Sequence, residues 1–249
     1  LFTVRPTAAG APSTLYLQPS PELAMRELIA GGSGEIFTIC RAYRDEPVDA
    51  THNREFTLLE WYRPESGYRD LEDGVFGLVS RIVNRPRRMM SCQDLFAEAY
   101  AVSVHDMEEG DLARVFERVF GKPATGIAAG WFDALLGNAM RSHTAGALLT
   151  VFDYPLHDPC FGQASPAGVV ERFELFLDGV EVANGYQEIE AAADFRARFV
   201  RENEQRASIG ESPIPEVDVA DIARCSGVAI GLDRIIAIAA AESLAHRPF

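Results

Sequence analysis

The sequence predicts an α+β fold, an antiparallel sheet flanked by helices. Three observations predict it. Strand-like segments come in pairs joined by a polar loop or by an Asp-Gly turn, as hairpins are. Long helical stretches are inserted between those pairs. The regular β-α-β alternation that marks a parallel sheet is absent.

Taken in order, residues 1–19 read as strand and loop, punctuated by Gly, Pro and Ser. "SPELAMRELIAGG" follows: Ser20 suits a helix N-cap, Pro21 the first helical position, and Gly31-Gly32 the stop. Residues 35–44 and 55–63 read as two strands around a polar loop. Residues 68–121 look mainly helical, and "DLARVFERVFGK" repeats apolar residues at helical spacing with Asp111 as cap. A further helix is expected over 129–141 and a strand over 147–154. "RFELFLDGVEVANGYQE" is a hairpin turning at Asp178-Gly179. Residues 191–209 form an amphipathic helix with Phe195 and Phe199 on one face. The closing "CSGVAIGLDRIIAIAAAESLA" is a small-residue strand running into an apolar helix. No repeat, low-complexity linker or domain boundary interrupts 1–249, so a single domain is expected.

Composition narrows the function. The chain has 249 residues, 47% hydrophobic and 24% charged, which is ordinary for a globular protein. No run approaches the roughly 20 apolar residues of a membrane span, and no secretory signal is visible. Cys40, Cys92, Cys160 and Cys225 lack metal-ligand spacing, so a reduced, cytoplasmic setting is expected. The net charge of −14 argues against broad nucleic-acid binding, which needs a basic surface. Arg81, Arg85, Arg87 and Arg88 make the one local basic cluster, a solvated face or a dock for an acidic partner. His105, His143, His157 and His246 form no cluster, and no Ser-His-Asp order, Walker loop or zinc spacing is present.

Three segments carry candidate chemistry. In "EFTLLEWYR", alternation puts Phe56, Leu58, Glu60 and Tyr62 on one face and Thr57, Leu59 and Trp61 on the other. Arg44 and Glu46 share a face on the partner strand, and His52 closes the loop. Arginine suits forked phosphate contacts and a flat Phe suits stacking on a base, although a salt-bridged edge hairpin has the same pattern. In the second hairpin, pairing Leu177 with Val180 and Phe176 with Glu181 brings Glu174 opposite Ala183. Glu174 and Glu181 are then diagonal neighbours whose repulsion a cation such as Mg²⁺ would relieve. The same count turns Asn184 to the opposite face unless a bulge at Asn184-Gly185 intervenes, and Glu188 follows. In "SGVAIGLDR", small residues admit close approach, and Arg234 opposes the dipole at a helix start. A phosphate or a nearby acid accounts for it.

Together these residues resemble a known family. Arg44-Asp45-Glu46, His52-Asn53, Glu55-Phe56-Thr57 and Glu60-Trp61-Tyr62 look like motif 2 of class II aminoacyl-tRNA synthetases, and "GVAIGLDR" looks like their motif 3. "SPELAMREL", "HNREFTLLEWYRP" and "RFELFLDGVEVANGYQE" are most similar to the lysyl-tRNA synthetase branch, and closest to its short paralogues that ligate lysine or (R)-β-lysine to elongation factor P. The resemblance implies one class II catalytic domain without an anticodon-binding domain. It implies ATP and Mg²⁺, lysine or β-lysine as substrate, and elongation factor P as acceptor. Arg44 and Arg234 become the catalytic cations, on the α- and γ-phosphates, with His52 near the latter. Glu46 reads adenine, Phe56 stacks on it, and Glu174 and Glu181 hold Mg²⁺. Glu188 and Tyr62 take the distal ammonium, Glu22 and Glu60 the other, and Asn184 the carboxylate region, with Ser20 alongside. Ala229 stands where synthetase motif 3 usually has Gly, and its methyl narrows the pocket floor. Two departures stand out. The tip "PVDAT" lacks the basic residue many relatives place before the histidine, and motif 1, the family's dimer-forming segment, is not visible. A homodimer is implied where motif 1 is present. A tRNA-charging enzyme and a catalytically silent synthetase-like module are the competing readings.

Overall fold

The computed structural model describes residues 1–7, 14–49, 52–157, 161–210, 213–215 and 218–245. Cys160, His246 and residues 50–51 of the "PVDAT" tip lie outside them. Strands β1 (Thr3–Val4) and β2 (Leu15–Tyr16) pair into a small ribbon ahead of α1 (Glu22–Ala30). Next come β3 (Ile36–Tyr43), β4 (Glu55–Pro64), α2 (Tyr68–Val79), β5 (Arg87–Ser91), α3 (Cys92–Tyr100), α4 (Glu109–Phe120), α5 (Ala128–Ala139) and α6 (Arg141–Thr144). The chain ends with β6 (Leu148–Pro155), β7 (Val169–Leu177), β8 (Val180–Gln187), α7 (Ala192–Ser208), β9 (Cys225–Gly231) and α8 (Leu232–Ala245). Among the described residues the main sheet has seven strands in the order β3-β4-β9-β8-β7-β6-β5, with the β5–β6 pair parallel and the others antiparallel.

Register fixes which side chains share a face. Opposite Phe56, Leu58, Glu60 and Tyr62 of β4 stand Ala42, Cys40, Thr38 and Ile36 of β3. Leu58, Glu60 and Tyr62 also face Gly231, Ala229 and Gly227 of β9. The alternate residues Leu59 and Trp61 join Val228, Ile230, Leu175 and Leu177 in a core beneath Leu71, Val75 and Val79 of α2 and Ile235 of α8. Helix α1 covers the first face at Tyr62, where Met25 and Ile29 pack, and α3–α5 cover it at the β6–β7 end. There Leu149, Val151 and Phe176 pack with Phe96, Leu112, Phe132 and Leu135 of α3–α5. The stretch over β4, β9 and β8 keeps its polar side chains, rimmed by α1 and by Phe195 and Phe199 of α7.

Most elements follow the sequence pattern, and three details differ. Strand β5 falls inside the expected helical region, because its "RRMMS" segment has no alternation and gains strand structure only by pairing with Leu148–Phe152. It also divides the basic cluster: Arg87 ion-pairs with Glu72 and Asp73, and Arg85 with Asp178. Helix α4 starts at Glu109 with Glu108 as N-cap, and Asp111 at its third position accepts from the Glu108 amide at 3.2 Å. In the β7–β8 hairpin, Asp178 and Gly179 both have positive φ (50° and 87°), the mirror-image turn that suits a two-residue hairpin. Beyond the turn, Phe176 pairs with Glu181 as counted, but Glu174 pairs with Asn184 and not with Ala183. The register shift lies between Leu175 and Phe176, nearer the turn than the Asn184-Gly185 dipeptide. The extra residue brings Asn184 onto the face of Glu174 and Glu181.

Candidate active site

This polar part of the sheet face is floored by small residues of β9. Across it, Glu60, Ala229, Asn184 and Glu174 form one cross-strand row, and Tyr62, Gly227, Tyr186 and Arg172 the next. Gly227 is required there. A methyl on its Cα would sit 2.6 Å from the Tyr62 ring and collide with Glu188 Oε1.

One end of this face gathers carboxylates. Ser20 Oγ donates to Glu60 Oε1 at 2.5 Å and accepts from the Glu22 amide at 3.0 Å, so the start of α1 is pinned to β4. The helix begins one residue later than expected, with Pro21 and not Ser20 as N-cap, although the Ser20 hydroxyl still accepts from the amide of the first helical residue, Glu22. Tyr62 Oη donates to Glu60 Oε2 at 3.2 Å, and Tyr186 Oη to Glu22 Oε1 at 3.1 Å. Glu60 and Glu188 are 2% and 1% exposed, which makes their charge expensive. Burial, reinforced by Glu22, pushes Glu60 up to about 7, although the Ser20 and Tyr62 hydrogen bonds oppose the shift. Burial and then the charge of Glu22 push Glu188 well above the carboxylate range, against the pull of Arg26. Burial also raises Glu22 and Tyr62. Among the described residues neither Glu188 oxygen has a hydrogen-bond partner, and the Arg26 Nη1 cation is 3.8 Å away. Arg26 is itself buried, donates to Ile189 O at 2.5 Å and lies 4.4 Å above the Phe195 ring. A buried carboxylate with no hydrogen-bond donor of its own among the described residues has the chemistry to receive an ammonium group.

The other end is a pocket of about 170 Å³ lined by Arg44, Glu46, His52, Phe56, Glu181 and Arg234, with Asn184 and Ala229 where it meets the first. Arg44 lies 5.3 Å from the Phe56 ring centroid, so a cation and an aromatic face line the pocket together. Arg234 Nη1 donates to Glu181 O at 2.7 Å and is 3.9 Å from its carboxylate, while Asp233 instead accepts from Thr57 N at 2.7 Å. His52 is held by Asp49 at 2.9 Å. The two arginines thus flank one cavity, which is what a polyphosphate needs.

Glu174 stands apart from Glu181. Arg172 ion-pairs with its Oε1, and Tyr154 Oη donates to Oε2 at 2.6 Å. Among the described residues no group of three or more His, Cys, Asp and Glu side chains is placed to hold a metal ion. Glu181 is the carboxylate that fits a Mg²⁺ carried in on phosphates, which would supply further oxygen ligands. Glu174 fits only if Arg172 releases it.

The sequence model described as "tRNA synthetases class II (D, K and N)" matches residues 1–244. The chain belongs to the class II tRNA synthetase family. It is 32% identical over 263 residues to the elongation factor P–(R)-β-lysine ligase of Pectobacterium atrosepticum, covering 96% of this chain and 78% of that relative. It is 34% identical over 248 residues to the ligase of the same name from Salmonella gallinarum, covering 93% and 75%. The resemblance carried by the motif 2 and motif 3 residues therefore holds along the whole chain, as does the α+β class.

Arg26 and Tyr186 were not singled out from the sequence, yet both touch the carboxylate cluster. Signals existed. Arg26 lies four residues after Glu22, on the same helix face between the buried Met25 and Ile29. Tyr186 follows Asn184 by two and shares its face.

Proposed function

We propose that residues 1–249 act as one catalytic unit that uses ATP to activate lysine or (R)-β-lysine as an aminoacyl-adenylate, then transfers it to a lysine side chain of elongation factor P. The observation that carries this reading is the Glu188 carboxylate, buried without a hydrogen bond beside Glu22 and Glu60, on the same sheet face as the Arg44–Phe56–Arg234 pocket. A diamino acid brings two ammonium groups to those carboxylates, and its carboxylate end then points along Asn184 toward Arg44. The names of the relatives support β-lysine and elongation factor P as the two substrates. That partner belongs to translation, which supports a cytoplasmic setting; among the described residues no helix is long and apolar enough to cross a membrane.

Activation needs no protein nucleophile. An oxygen of the amino acid carboxylate attacks the α-phosphorus, and pyrophosphate leaves. Phe56 holds the adenine by stacking, and Glu46 reads its amino group. Arg44 places the α-phosphate in line and neutralises charge that grows in the transition state. Arg234 does the same for the leaving phosphates. Mg²⁺, when bound with the nucleotide, would add charge neutralisation with Glu181 as its protein ligand. Glu60 and Glu188 accept the ammonium protons as hydrogen bonds and so lose their reason to be protonated.

ATP–pyrophosphate exchange with α-lysine, β-lysine and no amino acid tests the reading. Exchange that requires β-lysine or lysine, followed by transfer to elongation factor P, is expected. Exchange with α-lysine far above β-lysine, with label passing to tRNA, would make the protein a tRNA-charging enzyme. No exchange with any amino acid would leave a silent binding module.

A further inference from the structure

A second and larger cavity meets the site at Arg44. Its volume is about 860 Å³, and it runs from Ser20 and Glu22 along the flank of α7. It shares Arg44 and Glu46 with the nucleotide pocket. One wall is aromatic: the Phe161 ring lies tilted 5.0 Å from Phe195 and 6.2 Å from Phe199, which it covers. The polar lining is acidic in balance, with Glu22, Asp45, Glu46 and Glu202 against Arg44 and Arg206. Among the described residues no hydrogen bond or ion pair engages Glu202.

The two-substrate arrangement proposed above occupies the carboxylate cluster and the nucleotide pocket. The second nucleophile must then reach the mixed anhydride at Arg44 from a third direction, and this cleft opens there. We infer that the cleft between α1 and α7 receives the acceptor, a lysine side chain presented by a polypeptide loop, with its methylene stem on the half-buried Phe161 ring and its ammonium guided by Glu202. A lysine side chain is an apolar stem with a cationic head, and the cleft offers an aromatic wall with an unengaged carboxylate. A tRNA 3′ end brings phosphates, which the acidic lining repels. In the transfer step the amine nitrogen bonds to the carbonyl carbon of the adenylate. The bond from that carbon to the phosphate oxygen breaks, and AMP leaves with its electron pair. The acceptor ammonium gives up one proton before attack and one after, both to water in the open cleft.

The inference rests on the proposed function, so two reactions are measured on the natural full-length protein. One is ATP–pyrophosphate exchange, and the other is transfer of labelled amino acid to elongation factor P or to bulk tRNA. Glu202→Lys is compared with Glu204→Lys, the same charge reversal on the flank of α7 that lines a different depression. Glu202→Lys is expected to lower kcat/KM for elongation factor P about tenfold and leave exchange within about twofold. Glu204→Lys leaves both unchanged. Equal transfer by the two variants, or exchange falling in step with transfer in Glu202→Lys, would overturn the inference while the proposed function stands. Label passing to tRNA and not to elongation factor P would overturn the choice of a polypeptide. Absence of exchange in the unmodified protein would overturn the function and this inference with it.

Discussion

Glu60→Gln separates the charge of the candidate site from its shape. Glu60 is 2% exposed, and burial lifts it from 4.5 to about 7. Between those values the unfolded chain has released the proton while the folded chain keeps it. Stability is therefore fully present below about 4.5 and is lost as pH rises through about 7. At about 1.4 kcal/mol per pH unit, the loss attributable to Glu60 is on the order of 3 kcal/mol. Glutamine keeps the size and can accept from Ser20 or Tyr62, so the variant tests titration more than packing. The assay is urea unfolding of the ligand-free protein at half-unit steps from pH 5 to 8.5, for both proteins. The wild type should lose stability across this range, and the variant should lose about 3 kcal/mol less. A diammonium ligand should flatten the wild-type curve by stabilising the ionised form, and its affinity should rise with pH through about 7. Parallel stability curves for the two proteins would refute the argument that burial sets the Glu60 proton.

Other expectations follow from single contacts. Glu188→Gln should lower kcat/KM for the amino acid in exchange about a hundredfold, with KM for ATP unchanged, because the carboxylate lies at the end remote from Phe56. Arg26→Met should destabilise the fold by about 1–3 kcal/mol in a urea melt, because the buried Ile189 carbonyl loses its donor. Phe56→Ala should raise KM for ATP about tenfold and leave KM for the amino acid alone, measured by exchange at varied substrate. Gly227→Ala should cost about 1–3 kcal/mol and lower amino acid saturation, since its methyl would meet the Tyr62 ring at 2.6 Å; a thermal melt and exchange at varied amino acid read both.

Much of this was legible in one dimension. A two-residue period put Phe56, Glu60 and Tyr62 on one face and Leu59 and Trp61 in the core, because a pleated strand has no freedom to do otherwise. The Asp178-Gly179 turn fixed the first pairs of its hairpin through the positive φ that both residues adopt. Local chemistry also placed Ser20 at the start of α1. The bulge was not legible. It sits two pairs from the turn, where no Gly or Asn marks it, and it decides that Asn184 joins the face of Glu174 and Glu181. Strand β5 was hidden for a similar reason, since "RRMMS" becomes a strand only through a partner some sixty residues later.

Sequence by itself determined the family, the strand faces and the residue types of the candidate site. Tertiary structure decided their electrostatics. Glu174 was expected beside a cation with Glu181, but folding gives it Arg172 and Tyr154. Glu188 was expected near an ammonium, and folding leaves it buried, with both oxygens unbonded among the described residues and Arg26 at 3.8 Å. The physical reason is range. Alternation and capping are set by neighbours a few residues apart. The charge state of a carboxylate is set by everything within several ångströms in space, and those neighbours come from α1, β4, β8 and β9 at once.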